Sequence, residues 1–153
     1  MTLQEYVKKR NGVPMSSSNS LRNNLYRSLG ARSFALFWNY WNPIFGYYLG
    51  IKIYKPLKKI VPASISLIAT SVFCGMIHDL VTTIVRGKLS IFFSIWFLIM
   101  AIFVLISKFV RQDFSAKKWI FRATSNIFLL CFSFFATHYI YQLLKIKFLI
   151  LEK

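Results

Sequence analysis

From residue 61 to residue 144 the chain is almost continuously apolar, interrupted only by Arg86, Gly87 and Lys88 and by a basic stretch over 108–122. The three segments left, about 61–85, 89–110 and 119–144, each exceed the roughly 20 residues that a helix needs to cross about 30 Å of hydrocarbon. A helix that is apolar all round offers no face to water, so these segments constrain the fold more than any motif does. Composition points the same way: 56% of the residues are hydrophobic and 16% charged, against about 25% charged in ordinary soluble domains. The mean hydropathy is +0.51. A soluble body of this length buries about two thirds of its surface, which would leave many of the 16 Phe, 8 Tyr and 4 Trp facing water.

The charge is one-sided, with 20 Lys and Arg against Glu5, Asp79, Asp113 and Glu152 and a formal net charge of +16. The cations cluster between apolar runs, as in the cytoplasmic loops of membrane proteins, and form no basic face of a soluble module, so nucleic acid is not an expected partner. If residues 33–51 do not cross the membrane, the N-terminal cluster, the 52–59 loop and the 108–122 loop all lie on one side, expected to be cytoplasmic. The last basic group, Lys145, Lys147 and Lys153, fits this arrangement imperfectly. Lys8, Lys9 and Arg10 lead into a Ser- and Asn-rich loop without the apolar core of a cleavable signal peptide, so insertion is expected to use the internal segments. Cys74 and Cys131 both fall in apolar runs and outline no disulfide framework.

Within residues 1–32, Leu21, Leu25, Tyr26 and Leu29 recur at helical spacing around Arg22 and Arg27, which reads as an interfacial amphipathic helix or a solvated one. Residues 33–51, SFALFWNYWNPIFGYYLGI, are rich in aromatics but contain Asn39, Asn42, Pro43, Gly46 and Gly50. Pro43 lacks an amide hydrogen and biases Asn42 away from helical geometry, so a break and a re-entrant or interfacial path are expected. The short Arg86-to-Lys88 link makes the flanking spans antiparallel neighbours.

Residues 37–80 carry the informative pattern: FWNYWNPIFGYYLGIKIYKPLKK, then an apolar run ending in FCGMIHDL. It resembles the membrane-bound O-acyltransferase family, specifically its diacylglycerol and sterol acyltransferase pattern. The matching positions are Phe37, Trp38, Trp41, Asn42, Tyr54, Pro56, Leu57, Lys58, His78 and Asp79. The resemblance implies an embedded catalytic histidine, His78, supported by Asn42. It also implies acyl-CoA or another acyl-thioester as co-substrate and a hydroxyl acceptor, with no bound cofactor. Members of that family have more spans than this chain.

The residues themselves allow such chemistry. His78 is an ionisable group inside an apolar span, where it is costly unless it faces a cavity or a partner. Ser64, Ser71, Cys74, Gly75 and Thr82 share its helical face. Neutral imidazole can take a hydroxyl proton near neutral pH, and Asn42 can hold the ring or donate to a developing oxyanion. Trp38, Trp41, Tyr54, Ser71, Cys74 and Lys58 are the candidate substrate-binding residues. Each has a plainer reading: His78 as an interhelical hydrogen bonder, the small-residue stripe as a packing face, Trp38 and Trp41 as interfacial anchors, and Lys52 to Lys59 as a site for anionic headgroups. Asp79 reads as a cap or a surface anchor, and His138 as a packing or interfacial residue. No histidine or cysteine spacing suits a metal.

The expected fold is therefore an all-α integral membrane protein: a basic segment 1–32 bearing an amphipathic helix, and a membrane domain 33–153 with a broken segment and about three spans. Two functions stand: acyl transfer through His78, or a non-catalytic subunit packing against partner helices or lipid. A homo-oligomer or a partner membrane subunit suits either, because three spans shield little of a lipid chain.

Overall fold

The computed structural model describes the backbone of residues 1–151 and the side chains of residues 1–144; the side chains of Lys145, Lys147 and Lys153 lie outside the described residues. Helices and turns make up this part of the chain. Three helices are long and apolar enough to cross a membrane: α6 (Ala63–Arg86), α7 (Phe92–Phe109) and α8 (Trp119–Leu151). Their outer faces keep large apolar side chains uncovered, such as Ile84, Phe109, Phe128, Phe135 and Tyr139. The chain is an all-helical membrane protein whose three spans meet hydrocarbon on their outer faces.

Before the spans come five short helical pieces: α1 (Leu3–Asn11), α2 (Ser20–Leu29), α3 (Phe34–Tyr40), α4 (Pro43–Leu49) and α5 (Lys55–Leu57). The α1 helix starts with a reciprocal capping box between Thr2 and Glu5 and stops at Gly12, whose φ of 83° only glycine adopts freely. Residues 33–51 break between α3 and α4. Trp41 is extended, and Asn42 takes the left-handed conformation with φ 40° while its side chain accepts a hydrogen bond from the Phe45 N–H. Pro43 then occupies the first helical position, where its missing donor is harmless. After α4 the chain widens into a π-helical turn, Gly50–Tyr54, where the Lys55 N–H bonds the Gly50 carbonyl. That turn precedes Pro56, whose ring an ordinary α-helix would drive into the carbonyl four residues earlier.

The N-terminal segment is not a separate body. Asn126 on α8 donates to the carbonyls of Leu29 at 2.8 Å and Ala31 at 3.0 Å, and the Trp119 indole donates to the Tyr26 carbonyl at 3.0 Å. Tyr26 and Trp119 also stack, and Arg27 lies over the Tyr40 ring. The α3 helix packs into the spans, with Ala31, Phe34 and Phe37 buried against Met100 and Val104 of α7. Gln112 and Ser107 fix its start by accepting from the Phe34 and Ala35 N–H groups. The helical hairpin α3–α4 thereby carries its tip, Trp41 to Pro43, toward the middle of α6 and α7.

The spans begin within three residues of the sequence expectation, and α6 and α7 also end within one residue of it, whereas α8 continues to Leu151, past the expected 144. Pro62 precedes the first turn of α6, and Gly87, at φ 64°, closes that helix with its N–H on the Thr83 carbonyl. The α6 and α7 helices are antiparallel neighbours. They approach closely at Gly75, where a Cβ would stand 2.6 Å from the Phe93 carbonyl oxygen.

Candidate functional site

His78 lies on α6 one turn beyond Cys74, and its Nδ1 is 2.9 Å from the Cys74 carbonyl oxygen. A carbonyl only accepts, so Nδ1 carries a hydrogen, and in the neutral ring this leaves Nε2 as the acceptor. Three rings surround the imidazole: Phe97 at 5.3 Å, Phe93 at 5.5 Å and Phe45 at 6.3 Å between centroids. The imidazole is thus oriented by its own helix and flanked by an edge-on ring from α4 and two tilted rings from α7.

The neighbouring Asp79 is buried. Its carboxylate accepts from the backbone N–H groups of Phe93 at 2.9 Å and Ser94 at 2.7 Å, with the Ser90 hydroxyl at 3.4 Å. These amides belong to the first turn of α7, whose own N-cap, Ile91, has no side-chain acceptor. Asp79 therefore caps its partner helix from across the hairpin, and the positive end of that helix favours its negative charge. Of the two roles open to it, cap and surface anchor, it has the first. Gly75, Asp79 and His78 form one device, in which the glycine admits α7, the carboxylate seals its end, and Phe93 and Phe97 arrive beside the imidazole.

Two cavities meet at His78. The smaller, about 190 Å³, lies between α3, α4, α6 and α7 and is lined by His78, Asn42, Trp38, Trp41, Ser71 and Cys74 among others. It follows α6 from Leu67 to His78, a rise of about 16 Å. The larger, about 480 Å³, lies between α3, α7 and α8, and shares Trp38, Trp41, His78, Phe97 and Met100 with the first. Six of the eight residues singled out from sequence thus border one void. Tyr54 and Lys58 do not: Tyr54 is half-buried in the π-helical turn and Lys58 is exposed beyond α5. They follow the tip of the hairpin by about three turns of helix and are carried away from His78.

Asn42 borders the cavity, yet the ring's Nδ1 bond goes to Cys74. The Asn42 carbonyl oxygen caps α4, which leaves its amide nitrogen as the free donor of that side chain. Within the stripe expected on the His78 face, Ser71 and Cys74 reach the void, Ser64 is exposed, and Thr82 bonds the Asp79 carbonyl. Thr70 also lines the void and was not singled out, although it precedes Cys74 and His78 at intervals of four. Phe45, Phe97 and Met100 have no sequence signal beyond being apolar. His138 is exposed on α8. Among the described residues no group of three His, Cys, Asp or Glu is placed to hold a metal.

Comparison with protein-family models, with curated proteins and with solved structures finds no match to this chain.

Proposed function

We propose that this protein is a membrane-embedded O-acyltransferase that moves an acyl group from acyl-CoA or another acyl-thioester to a hydroxyl acceptor, with His78 as general base. The observation that carries this reading is the single void on which His78, Asn42, Trp38, Trp41, Ser71 and Cys74 converge from two distant parts of the sequence. It agrees with the acyltransferase resemblance of residues 37–80, which names the same histidine and asparagine.

The chemistry follows from the free Nε2. The acceptor hydroxyl gives its proton to Nε2 as its oxygen bonds to the thioester carbonyl carbon. The imidazolium keeps its Nδ1 hydrogen bond to the Cys74 carbonyl. The Asn42 amide donates to the oxyanion, a role worth roughly 3 kcal/mol where such donors have been removed. Collapse of the intermediate breaks the C–S bond, and the thiolate takes the proton back from Nε2.

The smaller cavity suits the thioester's leaving arm, because Thr70, Ser71 and Asn42 give it polar walls and it runs from His78 toward the start of α6. Lys52, Lys55, Lys58 and Lys59 precede that start and are exposed, well placed for the phosphates of coenzyme A. Tyr54 and Lys58 belong to this entrance in the proposal. The antiparallel spans put the 52–59 and 108–122 loops at the same end, which by its cations is the cytoplasmic one.

The test uses purified protein in nanodiscs with acyl-CoA and a panel of alcohols, following thiol release. His78→Ala is expected to lower turnover by at least about a hundredfold, and Asn42→Ala by about the same factor. Equal turnover in His78→Ala would remove His78 as the base.

A further inference from the structure

Polar side chains of α8 lie along two lines on opposite sides of the helix. Asn126, Ser133 and Thr137 point inward and are buried. Their partners are inside the molecule: Asn126 donates to the carbonyls of Leu29 and Ala31, and the Ser133 hydroxyl accepts from the Trp96 indole at 3.0 Å. Thr124, Cys131 and His138 form the other line, and all three are exposed. They stand seven residues apart, and seven residues bring a helix back to within about 20° of the same direction. Bulky apolar side chains flank the line, Phe128 and Phe135 on one side and Ile127 and Phe134 on the other, each of them exposed.

Depth decides what this outer line can face. The apolar span of α8 is Trp119–Leu144, which puts Cys131 at its middle. Thr124 and His138 lie seven residues to either side, about 10 Å at the helical rise. Both therefore sit inside a hydrocarbon layer that reaches about 15 Å from the midplane. Hydrocarbon offers neither donor nor acceptor, and an ionisable side chain at such depth turns to a partner or a cavity rather than to lipid. In the single chain His138 is uncovered.

The chemistry of the line selects its partner. A neutral imidazole donates at one nitrogen and accepts at the other, so two copies of His138 complete each other. Thr124 turns its hydroxyl hydrogen back to its own helix, with the Ile120 and Phe121 carbonyls at 3.0 Å, and keeps its lone pairs outward. Thr124 and Cys131 are also small, and between the flanking apolar side chains they leave a furrow that a second helix can approach closely. Every copy is inserted with the same orientation, so a two-fold axis along the membrane normal brings two such lines together in parallel. A seven-residue repeat is the period of left-handed packing between parallel helices, and a polar side chain on the seam fixes its register.

We propose that two copies of this protein pair through the outer face of α8, parallel and in register, with Thr124, Cys131 and His138 each opposite its twin. The pairing goes beyond acyl transfer and does not depend on it. Cys131 and Phe134 also line the larger cavity, so the partner's α8 covers that cavity on its lipid side.

Oxidative cross-linking of the full-length protein in its membrane tests the pairing. The chain has two cysteines, of which Cys74 is buried and Cys131 exposed. With Cys74→Ala as background, copper phenanthroline is expected to convert most of the protein to a dimer linked through Cys131. In a chain free of native cysteine, Thr124→Cys and His138→Cys should cross-link as well, whereas Phe132→Cys, about 100° round the helix from Cys131, should stay monomeric. Light scattering in mild detergent should give the mass of two chains. His138→Leu should raise the dimer dissociation constant about threefold, the usual worth of a hydrogen bond between spans, with circular dichroism verifying that the variant is folded. A single-chain mass, or cross-linking as strong at Phe132→Cys as at Thr124→Cys and His138→Cys, would overturn the pairing. So would a Cys131 disulfide to a different membrane protein in place of the dimer, or a dissociation constant unaltered by His138→Leu. Thioester turnover enters none of these readouts, so acyl transfer and the pairing can each fail while the other stands.

Discussion

Asp79 shows how much one side chain can contribute to the geometry around the imidazole. It leaves α6 beside His78 and ends on two amides of α7 that have no partner within their own helix. Asp79→Ala would orphan both donors in a buried place, at a cost of about 1 to 3 kcal/mol each. The thermal midpoint in detergent should fall by several degrees, and Asp79→Asn, which keeps one acceptor oxygen, should fall less. Unchanged melting in Asp79→Ala would show that α7 does not depend on this cap. Gly75→Ala should be costlier than its single methyl implies, because the new carbon meets α7 backbone rather than a side chain that can move aside. Its effect would be read in the same melting series, with an Ala substitution at exposed Ser64 as the neutral reference. The sequence offered Asp79 as a cap without naming its target, since that target lies 14 and 15 residues further on, across a turn.

Among the elements, the spans were legible because lipid imposes a length and a composition that no soluble context requires. The break in residues 33–51 was legible from Pro43, which cannot sit inside a continuous helix. Other features were less so. The α1 helix went unread although Thr2 and Glu5 stand at capping-box spacing, because basic, polar residues dominate the segment. The π-helical turn at Gly50–Tyr54 has no pattern of its own, and it helps carry Tyr54 and Lys58 away from His78. The hairpin tip supplies a test. Asn42 both adopts a left-handed backbone and caps α4 through its side chain. Asn42→Gly keeps the backbone and loses the cap, whereas Asn42→Ala loses the cap and adds strain of about 1 to 2 kcal/mol. The alanine variant should melt lower than the glycine variant, while both lose the amide that the proposed chemistry uses. Equal melting would mean that the tip relaxes to another turn.

For the whole molecule, the arrangement of ends follows from three antiparallel spans and decides which solvent each part of the site meets. The starts of α6 and α8 and the finish of α7 share one end, together with the exposed cations Lys58, Arg111, Lys117 and Lys118. Arg86 and Lys88 mark the other end. His78 is 15 residues into a 24-residue span, so the smaller cavity must thread most of α6 to connect it with the cationic end. Replacing Cys74 and Cys131 with alanine gives a background for placing single cysteines at Lys58, Lys117 and Lys88. With a membrane-impermeant thiol reagent on sealed right-side-out cells, Lys88→Cys should be labelled, and Lys58→Cys and Lys117→Cys only after the membrane is opened. The reverse pattern would invert the protein and put the thioester entrance outside, where coenzyme A is not supplied, which would count against acyl-CoA as the donor. Labelling of Lys58→Cys and Lys117→Cys from opposite sides would contradict the packing itself, because α6 and α7 could not then be consecutive antiparallel spans.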